Sequence, residues 1–364
     1  MNEVDIVVIG AGQAGLATSH ALIDSGLSHV VLDAGDAAGG AWSHFYDSLT
    51  LFSPARFCEL PGLRMPGDRG RYPTRDETVA YLRRYAEHFE LPVRTRTRVL
   101  AVRPARVGLW EVELDTGETL STRAVVAATG TFECPHRPKL RGQDHYGGRL
   151  MHVADYRRPD DLAGQRIVVV GAGNSAVQVA VELAAVADVT LAARGPVLLR
   201  PQRPLGIDLH YWVAWSGLDR LPLGRRAGSS VGVLDEGRYA AAIAAGKPNR
   251  RGMFFGLTPD GVEWWSGPSE RVDTVILATG YRPALDYLPA AAFAEDGWPA
   301  HRRGVSTTLP RLGYVGLPGQ TGLASATLRG VGPDAYHVVR RIRRQLSTHA
   351  TPASLDRPLV EAMT

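Results

Sequence analysis

The sequence predicts an α/β fold in which two related units, each built on a parallel sheet, share one chain of 364 residues. Three observations carry this prediction. An apolar run leads into a glycine-rich turn twice, at Gly10-Ala11-Gly12-Gln13-Ala14-Gly15 and at Gly171-Ala172-Gly173-Asn174-Ser175-Ala176. Hairpin-like alternation follows each turn, and each half ends in Ala-Thr-Gly, at Thr129-Gly130 and Thr279-Gly280. Because this order is typical of dinucleotide-binding units, we predict two Rossmann-like dinucleotide-binding domains.

The first unit opens with a complete strand, turn, helix and strand pattern. We predict strands over residues 4–9 and 29–33, with a helix from about residue 16 to 24 between them. Gly10, Gly12 and Gly15 allow the backbone to approach a pyrophosphate at the helix N-terminus. Asp33 ends the second strand, where its carboxylate would accept hydrogen bonds from a ribose diol.

The remaining elements assign the chain to two domains. We predict an amphipathic helix over residues 78–90, hairpins near residues 110–126 and 262–277, and a basic helix over residues 335–346. Residues 1–160 and 281–364 are expected to form the first domain, and residues 161–280 the second. Residues 196–251 are rich in Pro, Gly and Arg, and we interpret them as an insertion or lid within the second domain.

Composition and charge exclude several classes of function. The chain has 41 Lys and Arg against 37 Asp and Glu, and these charges are scattered, which argues against nucleic-acid binding. The longest charge-poor stretch, residues 167–193, contains a glycine turn and two acids and divides into strand, helix and strand, so no membrane span is predicted. No export signal is visible, and we expect a cytoplasmic protein. A homodimer is compatible with the sequence.

A polar stretch just before the second glycine turn carries a family resemblance. Tyr146-x-Gly148-x-x-x-His152-x-x-x-Tyr156 resembles the signature of the flavin-containing monooxygenases, with Tyr146 at the usual Phe. Gly39-Gly40-Ala41-Trp42 and Leu51-Phe52-Ser53-Pro54 also resemble that family, in the segment that passes beside the flavin ring. The resemblance covers most of the chain and is closest to the small bacterial members.

The resemblance implies a chemistry and a set of site residues. FAD would occupy the first unit and NAD(P)H would reduce it. O₂ would then form a flavin hydroperoxide that oxygenates a soft nitrogen or sulfur nucleophile in a small substrate. It implies cofactor contacts at Gly40, Trp42, Ser53, Thr129, Gly130, Gly171, Gly173, Asn174, Ser175, Thr279 and Gly280. Phe52, His152 and Tyr156 are the catalytic candidates, with no metal.

One departure from the family pattern concerns Phe52. Many members carry Asn at this position, where it is thought to hydrogen-bond near the oxygen adduct of the flavin. We therefore expect part of the NADPH consumed to appear as hydrogen peroxide. His152 and Tyr156 are expected at the junction between the domains.

The choice of nicotinamide rests on one arginine. Arg194 stands as far along the chain from Gly171 as Asp33 stands from Gly10, so a base replaces the acid at the end of the second strand. A carboxylate suits a free 2′-hydroxyl, whereas an arginine suits the 2′-phosphate of NADPH. We expect NADPH, with NADH retained as an alternative.

Three other functions stay open. A Baeyer–Villiger monooxygenase would use the same cofactors on a ketone, but Tyr156 stands where a Trp would favour that class. A disulfide reductase would need a Cys-x-x-Cys pair, which Cys58 and Cys134 do not form. A non-catalytic redox regulator would bind both nucleotides, although the intact signature from Tyr146 to Tyr156 argues against it.

Overall fold

The computed structural model describes residues 4–105, 108–221 and 232–347. In chain order its strands are β1 Val4–Ile9, β2 His29–Leu32, β3 Val93–Arg94, β4 Val99–Pro104, β5 Trp110–Leu114, β6 Thr119–Ala127, β7 Cys134–Pro135, β8 Arg149–His152, β9 Arg166–Val170, β10 Asp188–Ala193, β11 Leu199–Pro201, β12 Val233–Asp235, β13 Asn249–Gly252, β14 Phe254–Thr258, β15 Gly261–Trp264, β16 Glu270–Arg271, β17 Thr274–Leu277, β18 Tyr281–Arg282, β19 His301–Arg302, β20 Val305–Ser306 and β21 Leu312–Tyr314. Its helices are α1 Gln13–Ser25, α2 Arg75–His88, α3 Asn174–Leu183, α4 Leu209–Ser216, α5 Arg238–Ala244 and α6 Leu328–Ser347.

Two separate sheets confirm the predicted α/β fold. The first has the order β19-β20-β21-β6-β1-β2-β3, and the β4–β5 hairpin pairs with β6. Its central strands β3, β2, β1, β6 and β21 run parallel. The second sheet, β13-β10-β9-β17-β8, is parallel throughout. In each sheet, the strand that leads into a glycine turn is central and fully buried at its end.

Helix boundaries depend on signals next to the apolar stripes. α2 begins at Arg75, earlier than predicted, because the Thr74 side chain accepts from the Glu77 amide and Glu77 in turn accepts from the Thr74 amide, which forms a capping box. α6 begins at Leu328 and continues through Pro333. Its buried face packs on α1 in the largest core of the first unit. Among the described residues, no helix is both long and apolar enough to cross a bilayer.

The second unit begins earlier than the predicted boundary at residue 161. β8 pairs with β17, and Met151, Val153 and Tyr156 lie in the same core as Ile167 and Val169. The predicted insertion also ends too late, since β13 is an edge strand of the second sheet rather than part of a lid. Both differences have one cause: pairing with a strand that is distant in the chain leaves little trace in the sequence of a short edge strand.

Two crossovers connect the units, and they lie side by side. β7 leaves the first unit and β18 returns to it, and the two pair antiparallel, with Tyr281 opposite Pro135 and Arg282 opposite Cys134. The Thr129 hydroxyl donates to the Ala284 carbonyl at 2.9 Å, and the Thr279 hydroxyl donates to the His136 carbonyl at 2.5 Å. Each Ala-Thr-Gly exit is thereby bonded to the opposite crossover.

Candidate active site

The first glycine turn leaves the start of α1 open. Gly10 has φ of +102°, and a Cβ on Gly15 would lie 1.7 Å from the Gly10 carbonyl oxygen, so neither position accepts a side chain. No side chain caps the helix at Gly12. The Asp33 carboxylate accepts from the Ala11 amide at 2.5 Å and from the Gly35 amide at 2.8 Å. An uncapped helix start beside a carboxylate fits a pyrophosphate and a ribose diol.

Gln13 links this turn to two other segments. The Trp42 indole donates to Gln13 Oε1 at 2.9 Å, and Gln13 Nε2 donates to the Ala326 carbonyl at 2.7 Å. Gly40, with φ of +56°, approaches so closely that its Cβ would lie 2.8 Å from the Gly12 Cα. Sequence reasoning missed Gln13, because only folding brings the Trp42 segment and the loop before α6 to the same turn.

Phe52 and Ser53 face different surroundings. Phe52 is 43% exposed, and its carbonyl accepts from Gln202 Nε2 at 3.0 Å. The Ser53 hydroxyl lies 3.4 Å from Cys58 Sγ, and this thiol donates to the Ser53 carbonyl. Both cysteines are free, and burial raises the pKa of Cys58 to about 11. An inert buried thiol is unsuited to disulfide exchange.

The second glycine turn also leaves a helix start uncapped. Gly171 has φ of +149°, and its Cβ would lie 2.5 Å from the Ala278 carbonyl oxygen. A Cβ on Gly173, the residue before α3, would meet nothing within 4 Å. Asn174 Oδ1 is buried without a hydrogen-bond partner among the described residues, and Ser175 follows it in the first turn of α3. Open backbone and an unpaired polar atom at a helix start fit a second dinucleotide.

Arg194 lies directly after β10, at the edge of a cavity of about 390 Å³. Arg194 is exposed, whereas Arg251 across the cavity bonds Glu270 at 3.0 Å and stacks 4.0 Å from the Trp264 ring centre. Trp265, which is 72% exposed, also lines this cavity. Cationic and aromatic groups together suit a phosphate beside a purine ring.

His152 and Tyr156 are predicted as catalytic, but the structure gives both of them structural contacts. His152 is 0% exposed; its Nε2 donates to the Gly280 carbonyl at 3.1 Å, and its Nδ1 accepts from the Ala154 amide at 3.1 Å. Burial, with the nearby Arg137 cation, lowers the pKa of His152. Tyr156 is 1% exposed and donates to Glu182 at 2.8 Å. Both side chains are buried and hydrogen-bonded within the protein, which favours structural roles, and their catalytic role stays a prediction.

The exits at Thr129-Gly130 and Thr279-Gly280 are predicted as cofactor contacts. Their threonine hydroxyls bond the crossovers, as described above, and both glycines have positive φ, with open space where a Cβ would stand. The side chains therefore hold the linkers, and the glycine backbones stay accessible.

A part of the insertion lies on the Phe52 segment, which sequence reasoning did not anticipate. Asp208 Oδ2 accepts from the Tyr72 hydroxyl and from Gln202 Nε2, each at 2.6 Å. Asp208 Oδ1 accepts from the His210 amide and from His210 Nδ1, each at 2.8 Å. The His210 ring stacks on Phe52 with centroids 6.0 Å apart and planes 26° apart. The only sequence signal is an Asp-x-His pair beside an aromatic cluster.

Comparison with known proteins agrees with this architecture. The profile of the family described as pyridine nucleotide-disulphide oxidoreductase matches residues 7–316. The solved flavin-containing monooxygenase of Stenotrophomonas maltophilia superposes with a TM-score of 0.83 at 32% identity, over 95% of this chain and 100% of that one.

Two curated proteins are similar over nearly the whole length. An uncharacterized oxidoreductase, CzcO-like, of Geobacillus kaustophilus is 31% identical over 93% of this chain and 98% of its own. Indole-3-pyruvate monooxygenase YUCCA1 of Oryza sativa subsp. japonica is 31% identical over 93% of this chain and 91% of its own.

The family and the geometry agree on the cofactors. Membership implies FAD and a pyridine nucleotide, and the two uncapped helix starts are the places that fit them. The chain thus belongs to the pyridine nucleotide-disulphide oxidoreductase family and, within it, is a flavin-containing monooxygenase.

Proposed function

We propose that this monooxygenase uses NADPH and O₂ to oxygenate soft nitrogen or sulfur nucleophiles, with FAD held at Gly10, Gly12, Gly15 and Asp33. Bound FAD supplies electron transfer from the nicotinamide and the activation of O₂. The protein binds the cofactors, orients the substrate and limits access of water. A soft nucleophile attacks without help from a protein nucleophile, so an apolar pocket with few polar groups suffices.

The observation that carries this proposal is the exposed Phe52 ring beneath the insertion. The ring is 43% exposed and His210 stacks on one side of it. Phe57 lies 5.8 Å from His210 and 5.0 Å from Tyr211, measured between ring centroids. These four rings, of Phe52, Phe57, His210 and Tyr211, form the aromatic corner. Such a surface favours a small apolar amine or thioether over a strongly hydrated substrate.

NADPH as the preferred nicotinamide is supported by the exposed Arg194 and by its neighbours Arg251 and Trp265. NADH remains an alternative donor, because it lacks only the 2′-phosphate that these cations would bind. The nicotinamide end is common to both molecules.

The function is tested with the FAD-loaded protein and four substrates: a thioether, a tertiary amine, a ketone and an aromatic 2-oxo acid. NADPH consumption, O₂ uptake, hydrogen peroxide and products are measured together. We expect sulfoxide and N-oxide, with part of the NADPH appearing as hydrogen peroxide and a smaller part in Phe52→Asn. Conversion of the ketone or 2-oxo acid alone, or peroxide without any product, would overturn the proposal.

A second candidate is oxygenation beside the carbonyl of an aromatic 2-oxo acid, as the name of the rice relative describes for indole-3-pyruvate. Two cations lie beside rings of the aromatic corner: the Arg56 guanidinium lies 5.7 Å from the Tyr211 ring centre, and that of Arg329 lies 5.4 Å from the Phe57 ring centre. Arg56 would attract a carboxylate toward the aromatic corner, whereas Arg329 is already paired with Asp219 at 3.3 Å. The same four substrates discriminate between the two candidates.

A further inference from the structure

The pair formed by Asp208 and His210 has a geometry that a helix cap alone does not require. Asp208 precedes α4 and caps it through the His210 amide. A cap needs one acceptor oxygen, and Asn serves about as well as Asp. Here the carboxylate is 7% exposed and also accepts from Tyr72 and Gln202. Burial alone would raise the pKa of Asp208, but the hydrogen bonds from His210, Tyr72 and Gln202 outweigh it and lower this pKa to about 2.

An ionised Asp208 fixes the proton on His210. A carboxylate can only accept, so His210 Nδ1 must carry the hydrogen in the 2.8 Å contact. His210 Nε2 has no hydrogen-bond partner in the described part of the chain. In the neutral ring Nε2 is therefore a free acceptor, and in the charged ring it is a free donor. The His210 side chain is 13% exposed, so its ring lies between the Phe52 ring and solvent.

The function proposed above requires a proton at the aromatic corner. One turnover converts substrate, O₂, NADPH and one proton into oxygenated substrate, NADP⁺ and water. NADPH supplies a hydride, and the second hydrogen of the water must come from solvent. A group that is partly exposed, can carry a proton on a ring nitrogen and lies beside Phe52 can bring this proton inward from solvent.

We propose that His210 delivers this proton through Nε2–H and regains it from solvent, and that Asp208 positions the ring by holding Nδ1–H. The inference rests on the proposed function, because the proton is taken up only when O₂ is reduced during turnover. Asp208 is a positioning residue in this arrangement. Gln202 joins it to Phe52, since Nε2 of Gln202 bonds both the Phe52 carbonyl and Asp208.

Asp208 and Tyr72 keep their protonation states between pH 6 and 9. Burial, followed by the hydrogen bond to Asp208, raises the pKa of Tyr72 to about 12, and Asp208 stays ionised well below pH 4. Arginines keep their charge throughout. Among the described residues, the charged or titratable neighbours besides Asp208 include Tyr72, Arg203, Glu236, Arg56, Tyr211, Arg329 and Asp219. A pH dependence of the rate that requires His210 would therefore not come from Asp208 or Tyr72.

The first measurement is independent of turnover. In the FAD-loaded protein with ¹⁵N-labelled histidine, NMR should show the neutral His210 ring protonated on Nδ1. In Asp208→Gly the acceptor for Nδ1–H is absent, so the neutral ring should change to the Nε2–H tautomer, and Gly is tolerated at a helix N-cap. His210→Gln assigns the signal, and His145→Gln, at an exposed histidine, is the control. An unchanged tautomer in Asp208→Gly would overturn the positioning role.

The second measurement follows product formation with NADPH and a thioether from pH 6 to 9. The wild-type rate should decline toward high pH, because each turnover takes up one proton from solvent. His210→Gln should lower the rate about 100-fold and remove this decline. Reduction of FAD by NADPH without O₂ should not change in either variant, and His145→Gln should behave as wild type.

Different failures have different meanings. If His210→Gln forms product at the wild-type rate with the same pH profile, the proton-delivery role is overturned and the proposed function stands. If the wild-type protein forms no oxygenated product from any of the four substrates, both fail. Loss of FAD reduction together with product formation in His210→Gln would assign the ring to nicotinamide binding and would also overturn the proposal.

Discussion

Tyr156 illustrates how a residue of a sequence signature can be structural. Its hydroxyl donates to Glu182 on α3, and its ring packs 6.0 Å from that of Tyr46, measured between centroids, so it joins the two units. The Tyr46 hydroxyl in turn donates to Gln178 on the same helix. A residue type that recurs for packing reasons looks the same in sequence as one that recurs for chemistry.

Removing the Tyr156 hydroxyl should therefore affect stability rather than chemistry. In Tyr156→Phe the partly buried Glu182 carboxylate loses a hydrogen bond, which should lower the free energy of unfolding by about 1–2 kcal/mol. Urea unfolding measures this loss, and kcat for oxygenation should not change. A kcat that falls while stability is retained would support the catalytic assignment.

Arg194 also acts as a single residue, and its expected contact with the 2′-phosphate of NADPH is remote from the site of hydride transfer. Arg194→Ala should raise KM for NADPH about ten- to a hundred-fold, leave KM for NADH unchanged and alter kcat little, since one charge-assisted bond is worth about 1.5–3 kcal/mol. Arg250→Ala, a neighbouring arginine on β13, is the matched control. Equal kcat/KM for NADPH and NADH in the wild-type protein would remove the basis of the proposal.

The glycines of the two turns occupy different positions of the motif: Gly15 is at its end, where the second turn has Ala176, and Gly173 is at its centre. At Gly15 the helix lies against the preceding turn, whereas at Gly173 the backbone borders open space. Gly15 is therefore required for folding, and Gly173 is required only where a ligand must approach the backbone.

Two alanine substitutions test this difference. Gly15→Ala puts a Cβ 1.7 Å from the Gly10 oxygen, so we expect no stable FAD-loaded protein. Gly173→Ala, at φ of −90° and with open space for its Cβ, should fold with FAD bound yet bind NADPH more weakly. Flavin absorbance, thermal unfolding and NADPH titration give the answer. NADPH affinity that survives in Gly173→Ala would contradict the site.

The sequence predicts those elements that depend on interactions between residues close together in the chain. The apolar strands β1 and β9, the glycine turns and the hairpin strand β5 lie where the sequence indicates, because burial and turn chemistry are local. The edge strand β13 does not, since Asn-Arg-Arg-Gly becomes a strand only by pairing with β10. The same holds for the candidate site. Its glycines are recognisable in the sequence, whereas Gln13, Gln202 and His210 contact residues that are distant in the chain.

At the scale of the whole molecule, one buried acid makes stability depend on pH. Asp334 on α6 is 0% exposed, and within the described chain its Oδ2 has no hydrogen-bond partner. Burial raises the pKa of Asp334, although hydrogen bonds from Thr321 and Ser325 and the Arg303 cation oppose this. Because the folded pKa lies above the unfolded one, the contribution of this group is complete below about pH 4 and is lost as pH rises through the folded pKa.

Asp334→Asn should remove this dependence. Both proteins should have similar free energies of unfolding near pH 4, and at pH 8 the variant should be more stable by about 1 kcal/mol or more, because no charge has to be buried. Urea unfolding at several pH values measures the difference. A constant difference across that range would show that Asp334 does not ionise differently in the folded state.

The paired crossovers restrict how the two units can move. A single linker would let one unit rotate freely relative to the other. Here β7 and β18 pair with each other, and the hydroxyls of Thr129 and Thr279 hydrogen-bond to the two ends of the pair. Such a ribbon bends readily across its flat face and resists torsion. We therefore expect the second unit to twist less freely relative to the first than a single linker would allow. A nicotinamide bound to the second unit would then approach the flavin with the same face in every turnover.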